Sequence, residues 1–169
     1  MDRQFPIGKF QRPPGPLDPA ARASFIDQIE RLPSEFRRIA TSLTDAQLET
    51  RYRPGGWTAR QVVHHVPDSH MNAYVRFKLA VTEDTPTIKP YDEARWAELA
   101  DTRAPISLSL DLLEAVHRRW VLLLRSFGPA EFARAYKHPD MGVVPLDAAL
   151  ALYAWHGAHH AGHLELVRA

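Results

Sequence analysis

Four histidines fall within eight positions near the end of the chain, in the stretch YAWHGAHHAGHL at 153–164. Imidazoles at that density read as solvated polar residues, a nucleic-acid face, a pH sensor or metal ligands. Spacing separates these readings. A helix advances about 100° per residue, so His156 and His160, four apart, share a face. On the same wheel Leu146, Ala149, Leu152, Tyr153, Leu164 and Val167 centre between those two histidines, with Asp147 and Glu165 opposite. His159 and His163 lie toward the flank of that stripe. Imidazoles aimed into an interior with no acid nearby in the sequence cost a few kcal/mol if left without partners. A divalent cation between them removes that cost, because neutral imidazole is the commonest metal ligand.

A pair is not yet a site. Catalytic centres of the zinc type take three protein ligands and keep one position open. The second concentration of histidines is HHVPDSH at 64–70. There Val62, Val66, Ala73, Phe77 and Ala80 mark the core side. His65 lies at its border and His64 points away from it. His65 is therefore the third candidate ligand, beside His156 and His160. It heads a polar line with Gln61, of which Ser69, Asn72 and Arg76 are candidate substrate contacts. Arg76 stands about three turns, roughly 16 Å, from His65, a reach suited to an anionic group on an extended cofactor. The same line also reads as the wet side of an amphipathic helix. His70 reads equally as a core residue or a ligand, and His117 and His138 as structural or surface residues.

The elements that must position these residues are helices. The first 17 residues, ending QRPPGPL, are proline-rich and predict an extended arm. Asp18-Pro19 opens a helix toward residue 42, with Pro33 set to kink or divide it. Thr44 with Gln47 and Thr58 with Gln61 are capping boxes. The first starts a short helix and the second a helix to about residue 82. YRPGG at 52–56 is a turn, EDTPTIKPY a loop, and Glu93–Leu99 a short helix. A long helix follows Ser107 or Ser109 and stops near Gly128-Pro129. Residues 135–145 read as a turn or small hairpin, and the last helix starts near Leu146. The expectation is an all-α fold over residues 1–169 as one domain: an antiparallel four-helix bundle with short extra helices and an N-terminal arm.

Composition narrows the function classes. The 169 residues carry a formal net charge of +1 and show no basic run, so nucleic acid is not an expected partner. The longest aliphatic run, VLLL at 121–124, is far short of a membrane span, and the start has no apolar leader. A cytoplasmic location follows as the default expectation. The chain has no cysteine, which excludes disulfides, zinc–thiolate sites and a cysteine nucleophile. Gly157 stands where HExxH requires glutamate, and no G-x-S-x-G elbow occurs, so neither a zincin peptidase nor a serine triad is supported.

GGWTARQVVHHVPDSHMNAYVRFKLA, then TEDTPTIKPYDEARW, then LYAWHGAHHAGHL closely resembles the YfiT-type branch of the DinB-like superfamily. The likeness runs from FPIGKFQRP nearly to the C-terminus. It implies a four-helix bundle holding one divalent ion, zinc or nickel, on three histidines. Matched position by position, these are His65, His156 and His160. It further implies either a metal-dependent hydrolase using a metal-bound hydroxide or a transferase of the thiol bacillithiol. Three neutral ligands leave the ion doubly charged, able to lower the pKa of bound water to near 7 and to deprotonate a thiol, so both readings are physically sound. The transferase reading is preferred, and a non-catalytic metal-binding stress protein is the third. Expected partners are a small-molecule thiol and an electrophile, with a homodimer admissible. One departure is Pro67, where the pattern has a small residue; it predicts a bend beside His65 that shifts this ligand.

Overall fold

The computed structural model describes residues 2–169. Among them the chain forms seven α-helices, one short 3₁₀ turn and a two-stranded hairpin, in the order α1 (Pro19–Ala40), α2 (Asp45–Leu48), α3 (Ala59–Thr82), α4 (Glu93–Trp96), the 3₁₀ turn Ala100–Arg103, α5 (Ile106–Arg125), α6 (Pro129–Ala133), β1 (Ala135–His138), β2 (Gly142–Pro145) and α7 (Leu146–Arg168). The four long helices α1, α3, α5 and α7 make a four-helix bundle.

Local chemistry sets most of the boundaries. Asp18 accepts from the Ala21 amide at the start of α1, with Pro19 in the first turn. Both capping boxes form, Thr44 with Gln47 and Thr58 with Gln61. Two boundaries differ from expectation. α5 begins at Ile106, with Pro105 as its N-cap in place of a serine, and Ser109 falls inside the helix, where it bonds His64. Gly128-Pro129 does end the α5 region, but Pro129 also opens α6 as its first residue. The interior prolines Pro33 and Pro67 divide neither helix; α1 and α3 run through them.

Contacts run around the bundle in the order α1, α5, α3, α7 and back to α1. Residue pairs give the directions. Arg37 meets Asp111 while Arg125 meets Asp27 and Glu30, so α1 and α5 are antiparallel. His65 meets His160 while Arg76 meets Tyr153, so α3 and α7 are antiparallel. His64 meets Ser109 and Phe77 meets Trp120, so α3 and α5 are parallel. Arg22 bonds Asp147 and Leu32 faces Gly157, so α1 and α7 are parallel too. The antiparallel order read from the sequence thus holds for two of the four neighbouring pairs. Residues 83–105 are the reason: this long crossover returns the chain to the end of the bundle where α3 began.

Two hydrophobic clusters fill the bundle. One centres on Phe77, Trp120, Leu124 and Leu150, the other on Phe36, Val62, Leu113 and Leu164. The histidines lie between them. Asp147, read as solvent-facing, is buried. It accepts from Arg22 Nε at 2.7 Å and Nη2 at 2.8 Å and from the Leu17 amide at 3.0 Å, which ties the arm and α1 to the start of α7. The arm itself crosses α7. Trp155 donates to the Gly8 carbonyl, and a side chain at Gly162 would strike Pro6. Among the described residues, no helix is long and apolar enough to cross a membrane.

Candidate metal centre

Three histidine Nε2 atoms converge between α3 and α7. His156 Nε2 lies 3.4 Å from His65 Nε2 and 3.2 Å from His160 Nε2, and ligand atoms of all three fit within 4.8 Å of one another. The helical phasing supplies this arrangement. His156 and His160 are one turn apart on α7, and His65 meets them from the antiparallel α3. The bend expected at Pro67 does not move His65 out of reach.

Proton placement follows from the other ring nitrogens. His156 Nδ1 lies 3.1 Å from His70 Nε2, and His70 Nδ1 lies 2.8 Å from His117 Nε2. The chain of rings ends at the Ile29 carbonyl, 2.6 Å from His117 Nδ1. On the other side His160 Nδ1 lies 3.3 Å from His163 Nδ1, and His163 Nε2 reaches the Gln4 carbonyl at 3.2 Å. Trp57 packs on His65 with centroids 4.6 Å apart. Tyr52 stacks on His163 at 3.8 Å and Trp155 on His159 at 4.5 Å.

Burial keeps these rings neutral. Desolvation is the largest cause throughout, pushing His65 and His117 down to about 4 and His70, His156 and His160 well below the ordinary histidine value. Neutral rings present lone pairs. The fit to a metal ion can be judged by distance: zinc–imidazole bonds of about 2.0–2.1 Å set tetrahedral ligands about 3.3 Å apart. The two Nε2 separations match that edge. Lone pairs facing one another so closely repel unless a cation or shared proton lies between, so the donor set suits a divalent ion.

A cavity of about 350 Å³ opens over the three nitrogens. Its walls include Phe5, Tyr52, Trp57 and Trp155, and its charged groups are Arg53 and Glu93. Desolvation raises the Glu93 carboxyl above its usual range. Neither charged residue was marked in the sequence; the signal for Arg53 lay in YRPGGW, a turn that delivers two aromatics and a cation just before the histidine helix.

The other sequence candidates fall elsewhere. Ser69, Asn72 and Arg76 do not line this cavity. Ser69 is buried, and Asn72 turns its amide back to the Asp68 carbonyl. Arg76 is 8% exposed and donates to the Tyr153 hydroxyl at 3.1 Å. Gln61 bonds the Ala97 carbonyl and Glu98, securing the crossover. His64, read as pointing away from the core, is buried by α5 and bonds Ser109 and the Ala104 carbonyl. His70 is a fully buried link between His117 and His156. Gly157 also acquires a reason. A Cβ there would lie 2.2 Å from Leu32 Cδ2, so no glutamate can occupy that place while α1 and α7 are this close.

Comparison with known proteins agrees with this architecture. The family model of the DinB superfamily matches residues 28–164. A candidate metal-dependent hydrolase of Bacillus mycoides (strain KBAB4) is 50% identical over 167 residues, covering 99% of this chain and 96% of its own. A like-named protein of Oceanobacillus iheyensis is 48% identical over 164 residues, with 97% and 95% covered. The solved structure of YfiT from Bacillus subtilis, described as a candidate metal-dependent hydrolase with an unusual four-helix bundle topology, superposes with a TM-score of 0.95 at 44% identity, covering 99% of this chain and 97% of that one. A further solved four-helix bundle protein, at 19% identity and a TM-score of 0.60, shares the fold over 85% of this chain and 98% of its own. With three histidines gathered between α3 and α7, a bundle of mixed direction and identity close to one half along nearly the whole length, the chain belongs to the DinB superfamily.

Proposed function

We propose that the chain is a metal-dependent enzyme that holds one divalent ion, zinc or nickel, on His65, His156 and His160. The observation that carries this is the pair of Nε2 separations, 3.2 and 3.4 Å, between rings that burial keeps neutral. Bound there, the ion supplies Lewis acidity at the position left open toward the cavity. The chain's own residues do the rest. Phe5, Tyr52 and Trp57 exclude water, and Arg53 and Glu93 orient a small substrate bearing both polar and charged groups. Arg76, Ser69 and Asn72, read from the sequence as substrate contacts, do not line this cavity and take no part in that reading.

The preferred reaction is thiol transfer with a bacillithiol-type cofactor. The absence of cysteine leaves no internal thiol to compete with the incoming one. Glu93, on the cavity wall with its carboxyl raised by desolvation, is suited to take the proton that thiol gives up while its sulfur bonds to the electrophilic carbon. That bond expels halide from a haloaromatic, or opens the C–O bond of an epoxide whose oxygen then takes up a proton. Hydrolysis is the second reading, favoured by the names of the relatives. There Glu93 takes the proton of a water attacking an ester or amide carbonyl and returns it to the alcohol or amine that leaves as the acyl bond breaks.

The test offers a haloaromatic or an epoxide with bacillithiol, with glutathione and with no thiol, each with and without metal. Conjugation that needs both bacillithiol and metal is the expected result. Metal-dependent cleavage of an ester or amide without any thiol, and no conjugation, replaces it with the hydrolase. Inertness in every arm, by a chain that binds the ion, overturns both.

A further inference from the structure

Two of the three rings in the centre have another histidine behind them, and each of those series ends on a backbone carbonyl. A carbonyl only accepts. The Ile29 carbonyl therefore requires the proton of His117 on Nδ1. A neutral His117 then has only a lone pair on Nε2, which requires the proton of His70 on Nδ1. The same step repeated places the proton of His156 on Nδ1 and leaves its Nε2 bare. On the other side the Gln4 carbonyl requires the His163 proton on Nε2, so His163 Nδ1 accepts from His160 Nδ1 and His160 Nε2 is bare. Both series end with a lone pair aimed at the same point. The neutral histidine side chain in water favours its proton on Nε2, so this pattern has to be imposed.

The Ile29 carbonyl is available for a reason written in the sequence. Its helical partner would be the amide of residue 33, four positions on, and residue 33 is proline. Pro33 leaves that carbonyl without a helical donor, and His117, from α5, fills it.

From these contacts we infer that His70, His117 and His163 are positioning residues that lock the proton of His156 and of His160 onto Nδ1 and so hold both Nε2 lone pairs ready for the ion. The inference rests on the metal-centre reading above. It assigns no new ligand: the three act through the rings they touch. Partners that orient ligand imidazoles in this way typically change metal affinity 10–100-fold when removed.

The experiment has two arms on the full chain. In the first, nitrogen-15 NMR on the metal-free wild-type protein near pH 7.5 reads the tautomers directly. His70, His117, His156 and His160 are expected with the proton on Nδ1, and His163, the fifth ring of the two series, with it on Nε2. His156 or His160 protonated on Nε2 would overturn the inference, whether or not the protein binds metal. In the second, zinc affinity is measured for His70→Phe and His70→Gln, with folding followed by circular dichroism. Glutamine can accept from His156 and donate to His117, so it should stay within a few-fold of wild type, whereas phenylalanine should weaken zinc 10–100-fold. Equal affinity of wild type and a folded His70→Phe rejects the positioning role. Should His70→Phe not fold, His163→Leu against His163→Gln makes the same comparison on the other series. A wild-type chain that binds no zinc or nickel at all rejects the metal-centre reading instead, and the tautomers still decide the inference.

Discussion

Each imidazole has two nitrogens, and what one of them does fixes what the other can offer. Neighbouring histidines in the sequence therefore have opposite consequences when removed. His65→Ala, His156→Ala and His160→Ala should each lose the bound ion, read as metal content after purification. His64→Ala should keep it. That variant loses bonds to Ser109 and the Ala104 carbonyl, so it should instead cost about 1–3 kcal/mol in denaturant unfolding. Retained stability with an emptied site in His64→Ala would mean the two histidines have been assigned in reverse. The wheel on α3 separated them correctly in direction, because His65 sits at the edge of the apolar stripe. It misjudged the surroundings of His64, since a wheel for one helix does not show that α5 covers the far side. His70, His117 and His163 were beyond sequence reasoning for a related cause. Their roles are set by partners far off in the sequence, 88 positions away for His117 and Ile29 and 159 for His163 and Gln4.

At the level of elements, α7 was legible in extent and misread in environment. Its boundaries follow from the proline before it and the apolar content within it. Its supposed polar flank is buried, because the N-terminal arm lies over Trp155, His159 and His163. Composition could say that the arm is not helical, but not that its first residues fold into two tight turns, Phe5 on Asp2 and Gly8 on Phe5, nor where it docks. Removing residues 2–10 should expose that flank, take away the Gln4 carbonyl and lower metal affinity; unchanged affinity in a folded truncated chain would make the arm a mere cover. The spacing of α1 and α7 carries a sharper test. Gly157→Ala forces a methyl into Leu32, with the helices unable to separate freely while Arg22 holds Asp147. Overpacking of this kind typically costs about 1–3 kcal/mol. Gly157→Ala with Leu32→Ala should recover most of the loss in a double-mutant comparison, and no recovery would place the strain elsewhere.

Across the whole molecule, the histidine-rich interior makes acid its weak point. In the unfolded chain an imidazole takes its proton near pH 6.5, whereas burial holds His117 neutral down to about 4. Between those values the unfolded state binds more protons, so stability falls as pH falls. For His117 the loss is about 1.4 kcal/mol per pH unit across that window. His64, His65, His70, His156, His159, His160 and His163 are shifted in the same direction. The metal-free protein should therefore unfold cooperatively between about pH 6.5 and 4, and excess zinc, which binds only neutral imidazole, should move the midpoint lower. A melting temperature that stays level from pH 7 to pH 5 would contradict the buried neutral cluster. The bundle and its four long helices were readable from caps and apolar spacing. The parallel pairing of α3 with α5 was not, because the route of the crossover depends on tertiary contacts such as Gln61 with Ala97.

Pro33 gives this molecule a liability for anyone who sets out to make it more robust. A proline in a helix interior is the first residue a stabilisation scan replaces, since it typically forfeits about 3 kcal/mol. Pro33→Ala would restore an amide that competes with His117 for the Ile29 carbonyl. The engineered chain should melt higher and hold zinc more weakly, and thermal melts beside zinc titrations of the same sample would show both at once. Gains in both would free Pro33 from any part in the site. Otherwise heat tolerance and metal retention cannot be improved together at this position, and a screen scored on melting temperature alone would select against the function it meant to preserve.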